Sequence, residues 1–174
     1  ILYRLRGNHT TEELITRGMV VGKNFNCMND VILDPDHCWL IEIGNDVTVA
    51  PRVHILCHDA STKHYLGYTK IANVKIGNNV FIGAESVVMP GVVIGDNVII
   101  GANSTVTHSV PANSVVVGSP ARVICSTEEY IEKERSKMAK APCFSEAYTL
   151  RQNVSMKRRY EMKKALEGNK GYVE

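Results

Sequence analysis

Residues 76–111 read IGNNVF IGAESV VMPGVV IGDNVI IGANST VTHSVP when they are written in groups of six. A branched aliphatic residue opens every group, and glycine or another small residue often follows it. Neither the 3.6-residue period of a helix nor the two-residue period of a strand explains this pattern. A repeat this short buries its apolar face only by stacking on its neighbours, which predicts a solenoid of short parallel strands.

This repeat, followed by GSPARVI at residues 118–124, resembles the hexapeptide-repeat acyltransferase superfamily. The resemblance covers Val20 to Ile124 and is closest to the sugar O-acetyltransferase branch, which includes galactoside and maltose acetyltransferases. It implies a mainly β fold, a left-handed parallel β-helix with three hexads in each triangular turn. The handedness comes from the resemblance alone, because crossover connections are usually right-handed. The resemblance also implies a homotrimer in which a neighbouring chain completes each site.

The composition limits the classes of protein that the chain can represent. Its 174 residues suit one domain, and a hydrophobic content of 44% is enough for a core. The net charge of +2 gives no argument for nucleic-acid binding. The five cysteines are odd in number and show no CxxC spacing, which argues against a disulfide framework or a thiolate zinc site. With no apolar run of about 20 residues and no signal peptide, we expect a cytoplasmic protein.

The chain divides into three predicted parts: an N-terminal helical segment (1–19), the β-helix (20–125) and a C-terminal helical extension (126–174). In the first part, Thr10 to Arg17 has the capping and acidic residues of a short helix. In the last, one helix is predicted from Thr127 and a second from Ser145 to Glu167. We expect this extension to cover the open end of the coil or to pack on its outside.

An insertion interrupts the repeat. Ile43 and Ile76 both open hexads, but the spacing between them is not a multiple of six. The polar segment DASTKHYLGYTK, Asp59 to Lys70, is the candidate insertion, and we expect it to project as a loop. Loops that leave a regular scaffold often carry function.

His58, immediately before this loop, is the candidate catalytic base. Acyl transfer to a hydroxyl needs a group that takes the hydroxyl proton, and imidazole suits this task at neutral pH. The resemblance implies a catalytic histidine at this place, and the motif CHDAS assigns it to His58. The alternatives are an ordinary surface histidine and the neighbouring His54. A zinc site on these two histidines would need a third protein ligand, which the sequence does not indicate, so no metal is expected.

The resemblance implies acetyl-coenzyme A as the acyl donor. The residues that it places near the pantetheine arm are Ala84 and Ala102, each following a hexad glycine. Thr107 and Arg122 match places near the nucleotide and its phosphates, which suit the fork of a guanidinium group. His108 stands where a basic residue is expected, and Cys125 departs from the pattern in the same way. The alternative for both alanines is simple packing of the coil.

The acceptor site is predicted from five residues. Asn29 and Asp34 match, within a residue or two, places where sugar acetyltransferases hold hydroxyls. His37 and Trp39 offer rings that either stack on a sugar or cover the end of the prism. Tyr65 offers a flat surface from the inserted loop.

These observations predict an acetyl-coenzyme A-dependent O-acetyltransferase that acts on a hydroxyl of a sugar or a polysaccharide precursor. Two alternatives stay open. One is an acetyltransferase with a different acceptor, such as serine, an amine or a xenobiotic. The other is a hexapeptide-repeat protein without transferase activity, either structural or zinc-dependent like a carbonic anhydrase.

Overall fold

A computed structural model describes residues 9–174. The chain forms two compact units that divide between Thr127 and Glu128. The first eight residues of the predicted N-terminal segment lie outside the described part. The remaining boundaries assigned from the sequence stay predictions.

Short parallel strands of the first unit form three sheets, which we call A, B and C. Sheet A contains β1 (Val20–Val21), β4 (Ile41–Ile43), β9 (Val74–Ile76) and β12 (Val93–Ile94). Sheet B contains β2 (Asn26–Cys27), β5 (Thr48–Val49), β10 (Phe81–Ile82), β13 (Ile99–Ile100), β15 (Ser114–Val117) and the antiparallel β16 (Arg122–Ser126). Sheet C contains β3 (Ile32–Leu33), β6 (His54–Ile55), β11 (Val87–Val88) and β14 (Thr105–Val106).

The chain visits sheets A, B and C in turn, and equivalent strands stack. Phe81 pairs with Ile99 and Val87 with Thr105, so three hexads separate a strand from its partner in the next turn. The aliphatic residues that open the hexads are buried between the sheets: Ile76, Ile82, Val88, Ile94, Ile100 and Val106. The predicted short parallel strands are therefore confirmed.

At two places in the coil, paired residues of neighbouring turns are separated by more than three hexads of sequence. Ile32 pairs with His54, so the connection from β3 to β4 contains a short insertion. His54 pairs with Val87, so the connection from β6 to β9 contains a longer one. Both insertions occur where the chain passes from a sheet C strand to the next sheet A strand. We call this edge the C–A corner.

The longer insertion is a hairpin. Its stem is β7 (His58–Asp59) paired antiparallel with β8 (Lys70–Ile71), and an ion pair of 2.5 Å joins Asp59 to Lys70. Its tip contains a 3-10 turn (Ala60–Thr62) and α2 (Lys63–Leu66), which ends at Gly67 with a φ of 73°. The N–H of Ala72 donates to the carbonyl of Cys57 at 2.9 Å, so the chain returns beside its point of departure.

Glycine after the first hexad residue allows neighbouring turns to approach closely. A Cβ atom on Gly83 would lie 2.4 Å from the backbone nitrogen of Ala102 in the next turn. Asparagine and aspartate side chains join the turns at another edge. The N–H of Asn45 donates to Asn78 Oδ1, and the N–H of Asn78 donates to Asp96 Oδ1. These contacts fix the vertical register of the strands.

A short helix, α1 (Thr11–Thr16), precedes the strands. Thr10 and Glu13 form a capping box, in which each side chain bonds the other residue's backbone N–H. Leu14 of this helix is buried in the core of the first unit.

The second unit differs from its sequence prediction. Helix α3 (Thr127–Met138) begins at the predicted residue, but α4 covers only Met156–Ala165. The segment 145–155 forms two 3-10 turns, Glu146–Tyr148 and Leu150–Gln152. Asn153 adopts a left-handed conformation that interrupts helical hydrogen bonding, and Ser155 then caps α4 through Arg158 N–H. Strands β17 (Cys143–Phe144) and β18 (Tyr172–Val173) pair in parallel.

Within residues 9–174, no helix has the length and apolar character that crossing a membrane requires.

Candidate active site

Asp34 and His58 form a hydrogen-bonded pair at the C–A corner. Asp34 follows β3, and His58 opens the hairpin that follows β6, the partner of β3. Nδ1 of His58 lies 2.6 Å from Oδ2 of Asp34. Since an ionised carboxylate only accepts hydrogen bonds, Nδ1 carries the proton and Nε2 has a free lone pair. The pair thus fixes the tautomer that can act as a base.

The surroundings of Asp34 keep its carboxylate ionised. Its side chain is fully buried, and burial by itself would raise its pKa. Hydrogen bonds from the N–H of Cys57 (2.7 Å) and from His58 outweigh this effect, and the pKa of Asp34 is lowered. The N–H of His37 donates a further bond of 3.2 Å. A buried, ionised carboxylate stabilises positive charge on the adjacent imidazole.

The side chain of Asp34 is buried, and both of its oxygens contact groups of the protein, including the ring of His58. Its predicted contact with the acceptor stays a prediction.

His37 and Trp39 lie beside the catalytic candidate. The ring centroids of His37 and His58 are 5.3 Å apart, and those of His37 and Trp39 are 5.5 Å apart. Trp39 is 54% exposed, so its ring offers an accessible apolar surface at this corner. The short insertion after β3 therefore brings these two predicted acceptor residues to His58.

Cys57 is not a candidate nucleophile although it adjoins His58. Its side chain is buried, and burial together with the negative charge of Asp34 raises the pKa of the thiol to about 12. The thiolate is the reactive form of cysteine. Imidazole is therefore the candidate reactive group at this corner.

The other two predicted acceptor residues have exposed side chains. Asn29 lies between β2 and β3, and its carbonyl accepts from the N–H of Arg52. Tyr65 is 83% exposed on the hairpin and stacks edge-on with His64. Their predicted contact with the acceptor stays a prediction.

The predicted coenzyme A residues lie at two different edges of sheet C. Thr107 and His108 follow β14, at the same C–A corner as His58 and two strand spacings, about 10 Å, away from β6. Their side chains are exposed and hydrogen-bonded to each other at 2.9 Å. Ala84 and Ala102 instead stack on one another at the opposite edge, where the chain passes from sheet B to sheet C. The carbonyl of Ala84 accepts from Asn103 N–H. Arg122 is exposed at the start of β16.

Sequence reasoning missed the contact between Asp34 and His58. It identified the longer insertion but not the shorter one. Residues 26–40 form a single irregular turn, so no fixed period revealed the extra residues there. The spacing between two pairs of apolar residues is the signal that could have revealed the shorter insertion. Val31 and Leu33 are buried like Ile41 and Ile43, but the spacing between the two pairs is not a multiple of six.

Comparison with known proteins identifies the repeat. Residues 73–108 match the family model of bacterial transferase hexapeptide repeats (six repeats). The resemblance predicted from the sequence is therefore confirmed. Protein CapG of Staphylococcus aureus is 48% identical over 99 residues, which cover 55% of this chain and 58% of CapG.

Two solved structures are similar. A maltose O-acetyltransferase from Clostridium difficile 630 has a TM-score of 0.55 and 43% identity, and the match covers 63% of this chain and 59% of that one. A hexapeptide-repeat acetyltransferase from Vibrio cholerae, complexed with acetyl coenzyme A, has a TM-score of 0.56 and 28% identity over 64% and 61% of the two chains. The chain thus spans somewhat more than half the length of these relatives.

Proposed function

We propose that the protein is an acetyl-coenzyme A-dependent O-acetyltransferase that acts on a hydroxyl of a sugar or polysaccharide precursor. The observation that carries this proposal is the pair formed by buried Asp34 and His58 at the base of the hairpin. The O-acetyltransferase among the similar structures, and the one complexed with acetyl coenzyme A, support the reaction class and the donor. We place the reaction in the cytoplasm, where this donor is available.

In the proposed mechanism, Nε2 of His58 accepts the proton of the acceptor hydroxyl. The oxygen attacks the thioester carbonyl carbon and forms a tetrahedral intermediate. That intermediate collapses with cleavage of the C–S bond, and the leaving sulfur takes the proton back from the imidazolium. The acetyl ester and the free coenzyme A thiol are the products. Asp34 stabilises the imidazolium through its hydrogen bond to Nδ1.

Ala84, Ala102, Thr107, His108 and Arg122 are the proposed contacts of the donor. Two of them lie at the corner that carries His58, and the two alanines lie at the opposite edge of sheet C. This separation is a reason to propose that the site is shared between chains. We further propose that the coil is a left-handed β-helix, as the family resemblance implies.

A homotrimer is the proposed assembly, in which the edge with Ala84 and Ala102 of one chain faces the corner with His58 of the next. Sedimentation equilibrium should therefore give a mass of about three chains at working concentration. A monomer that is fully active would contradict this arrangement, because both halves of the site would then have to come from one chain.

The reaction itself is tested by thiol release from acetyl-coenzyme A across a panel of sugars, amino acids and aminated antibiotics. Release that depends on a sugar supports the proposal. Thiol release with an amine or with serine alone would show that the acceptor belongs to a different chemical class. If no acceptor gives release and coenzyme A does not bind, the transferase proposal fails.

The hairpin is proposed to bind the acceptor. Tyr65 and Tyr68 on its tip are 83% and 80% exposed, and the stem begins at His58 itself. Because the strands on either side pair without the tip, replacing residues 61–68 with a short Gly/Ser turn should leave the fold intact. We expect the acceptor's kcat/KM to fall by about tenfold or more, the scale of losing one to two contacts.

The same variant should bind acetyl-coenzyme A as the native chain does, which calorimetry can measure. Slow hydrolysis of the thioester should increase because water gains access to the site. Unchanged acceptor kinetics would show that the acceptor is bound elsewhere, with Asn29, His37 and Trp39 among the remaining candidates.

A further inference from the structure

Three potential metal ligands converge at the C–A corner. Asp34, His37 and His58 each offer one ligand atom, and these atoms lie within 4.8 Å of one another. Two of the three come from the segment that follows β3 and the third from the start of the hairpin. The sequence suggested only His54 as a partner of His58, and that pair had no third ligand.

His37 provides the observation that points to a ligand. Its Nδ1 atom is buried and has no hydrogen-bond partner among residues 9–174. Oδ1 of Asp34 lies 3.7 Å from this nitrogen, beyond hydrogen-bond distance. A buried polar atom without a partner destabilises the folded chain. A cation between this nitrogen and the carboxylate would satisfy both atoms.

We propose that Asp34, His37 and His58 form a binding site for a divalent transition-metal ion of the Zn²⁺ type. Two imidazoles and one carboxylate, with a fourth position open to water, are a ligand set that zinc takes in proteins. The partly exposed rings of His37 and His58 leave a path from solvent to the site.

The distances define the movement that binding requires. Ligand atoms about 2.0–2.1 Å from a tetrahedral ion are about 3.3 Å apart. Nδ1 of His37 lies 3.7 Å from Oδ1 of Asp34, and Nδ1 of His58 lies 2.6 Å from the other carboxylate oxygen, Oδ2. An ion held by Oδ2 must displace the proton that this oxygen shares with His58 and move Nδ1 of His58 outward by about 0.7 Å. Rotation of one partly exposed side chain provides this movement.

The consequence for catalysis rests on the proposed function. An imidazole that binds metal through Nδ1 carries its proton on Nε2. His58 in that state has no lone pair with which to accept the hydroxyl proton. The ion is therefore an inhibitor that competes with the active tautomer, and it is not a cofactor of the transfer. Removal of the ion by a chelator restores the base.

Titration of the full chain with Co²⁺ tests the site without any reference to activity. Co²⁺ reports a bound nitrogen and oxygen ligand set through its visible d–d absorption. We expect saturation at one ion per chain and displacement of Co²⁺ by added Zn²⁺. His37→Ala should weaken Co²⁺ binding by about tenfold to 100-fold or more, whereas His64→Ala, which removes a histidine outside the cluster, should bind as the native chain does.

Absence of saturable absorption in the native chain would overturn the proposal, and so would unchanged binding in His37→Ala. Intense thiolate-to-cobalt bands would also overturn it, because they would place the ion on a cysteine. The test is independent of the proposed reaction. Saturable binding in a chain that has no transferase activity would support the site and reject the reaction, whereas activity insensitive to Zn²⁺ in a chain without cobalt absorption would do the reverse.

Discussion

Replacing His58 with alanine is expected to lower the rate of acetyl transfer by roughly 10²–10⁴, the usual contribution of a positioned general base. The variant loses the only group on the C–A corner that combines a free lone pair with a hydrogen bond to Asp34 in the described residues. The backbone should tolerate the change. Asp34 keeps its hydrogen bond from Cys57 N–H, and strand β7 keeps its pairing with β8.

The measurement is thiol release at saturating acetyl-coenzyme A, with circular dichroism to confirm the fold. His9→Ala is the matched control, because it removes an imidazole that pairs with Glu13 and not with Asp34. Coenzyme A affinity should change little in either variant. Native activity in His58→Ala would remove this histidine from the mechanism and make His54 the next candidate.

Replacing Asp34 with asparagine has the second-largest expected effect, a fall in kcat of about 10²–10³. The amide preserves the shape of the side chain but removes its negative charge, so it no longer stabilises an imidazolium at His58. Oδ2 of Asp34 accepts from both Cys57 N–H and His58, whereas Oδ1 accepts from His37 N–H. If the NH₂ group takes the place of Oδ2, it donates toward Nδ1 of His58 and selects the tautomer with the proton on Nε2, and it also faces Cys57 N–H. An exchange of the same kind in a serine protease triad costs about 10⁴. The loss here should be smaller, because His58 is partly exposed and exchanges its proton with water.

Asp36→Asn is the matched control, since it changes an exposed carboxylate two residues away. A purely structural role for Asp34 would lower the melting temperature while leaving kcat of the folded fraction unchanged. An orienting role lowers kcat in a fully folded chain and leaves KM for the acceptor almost unaffected. Equal kcat in the two asparagine variants would exclude the orienting role.

The regular part of the fold was predictable because one physical rule repeats. A branched aliphatic residue at every sixth position, such as Ile82, is buried between the sheets. The small residue that follows it, such as Gly83, allows the next turn to stack closely. The irregular spacing between Ile43 and Ile76 also revealed the hairpin, and with it the place of His58. Each of these signals depends on local sequence and a fixed period.

The orientation of His58 was not predictable in the same way. Asp34 reaches it only because β3 pairs with β6 across a short insertion, and the residues of that insertion follow no pattern of their own. The burial of Asp34 was not predictable either, since a polar residue beside a predicted acceptor site suggests an exposed substrate ligand. The predicted start of α4 was wrong for a related reason. A single residue, Asn153, adopts a left-handed backbone conformation within a segment whose sequence pattern is helical.

The stem of the hairpin has a consequence for how such a chain diversifies. The hydrogen bond from Ala72 N–H to the Cys57 carbonyl closes the hairpin at its base. The two ends of the hairpin therefore join the β-strand scaffold side by side, whatever the length of the segment between them. The entropy of closing a loop rises slowly with length, by about 0.6 kcal/mol for each doubling. Segments of very different size can therefore be exchanged at this position by mutation or by grafting. Under the proposed function, such exchanges change the acceptor specificity without any change to the residues that stack the turns.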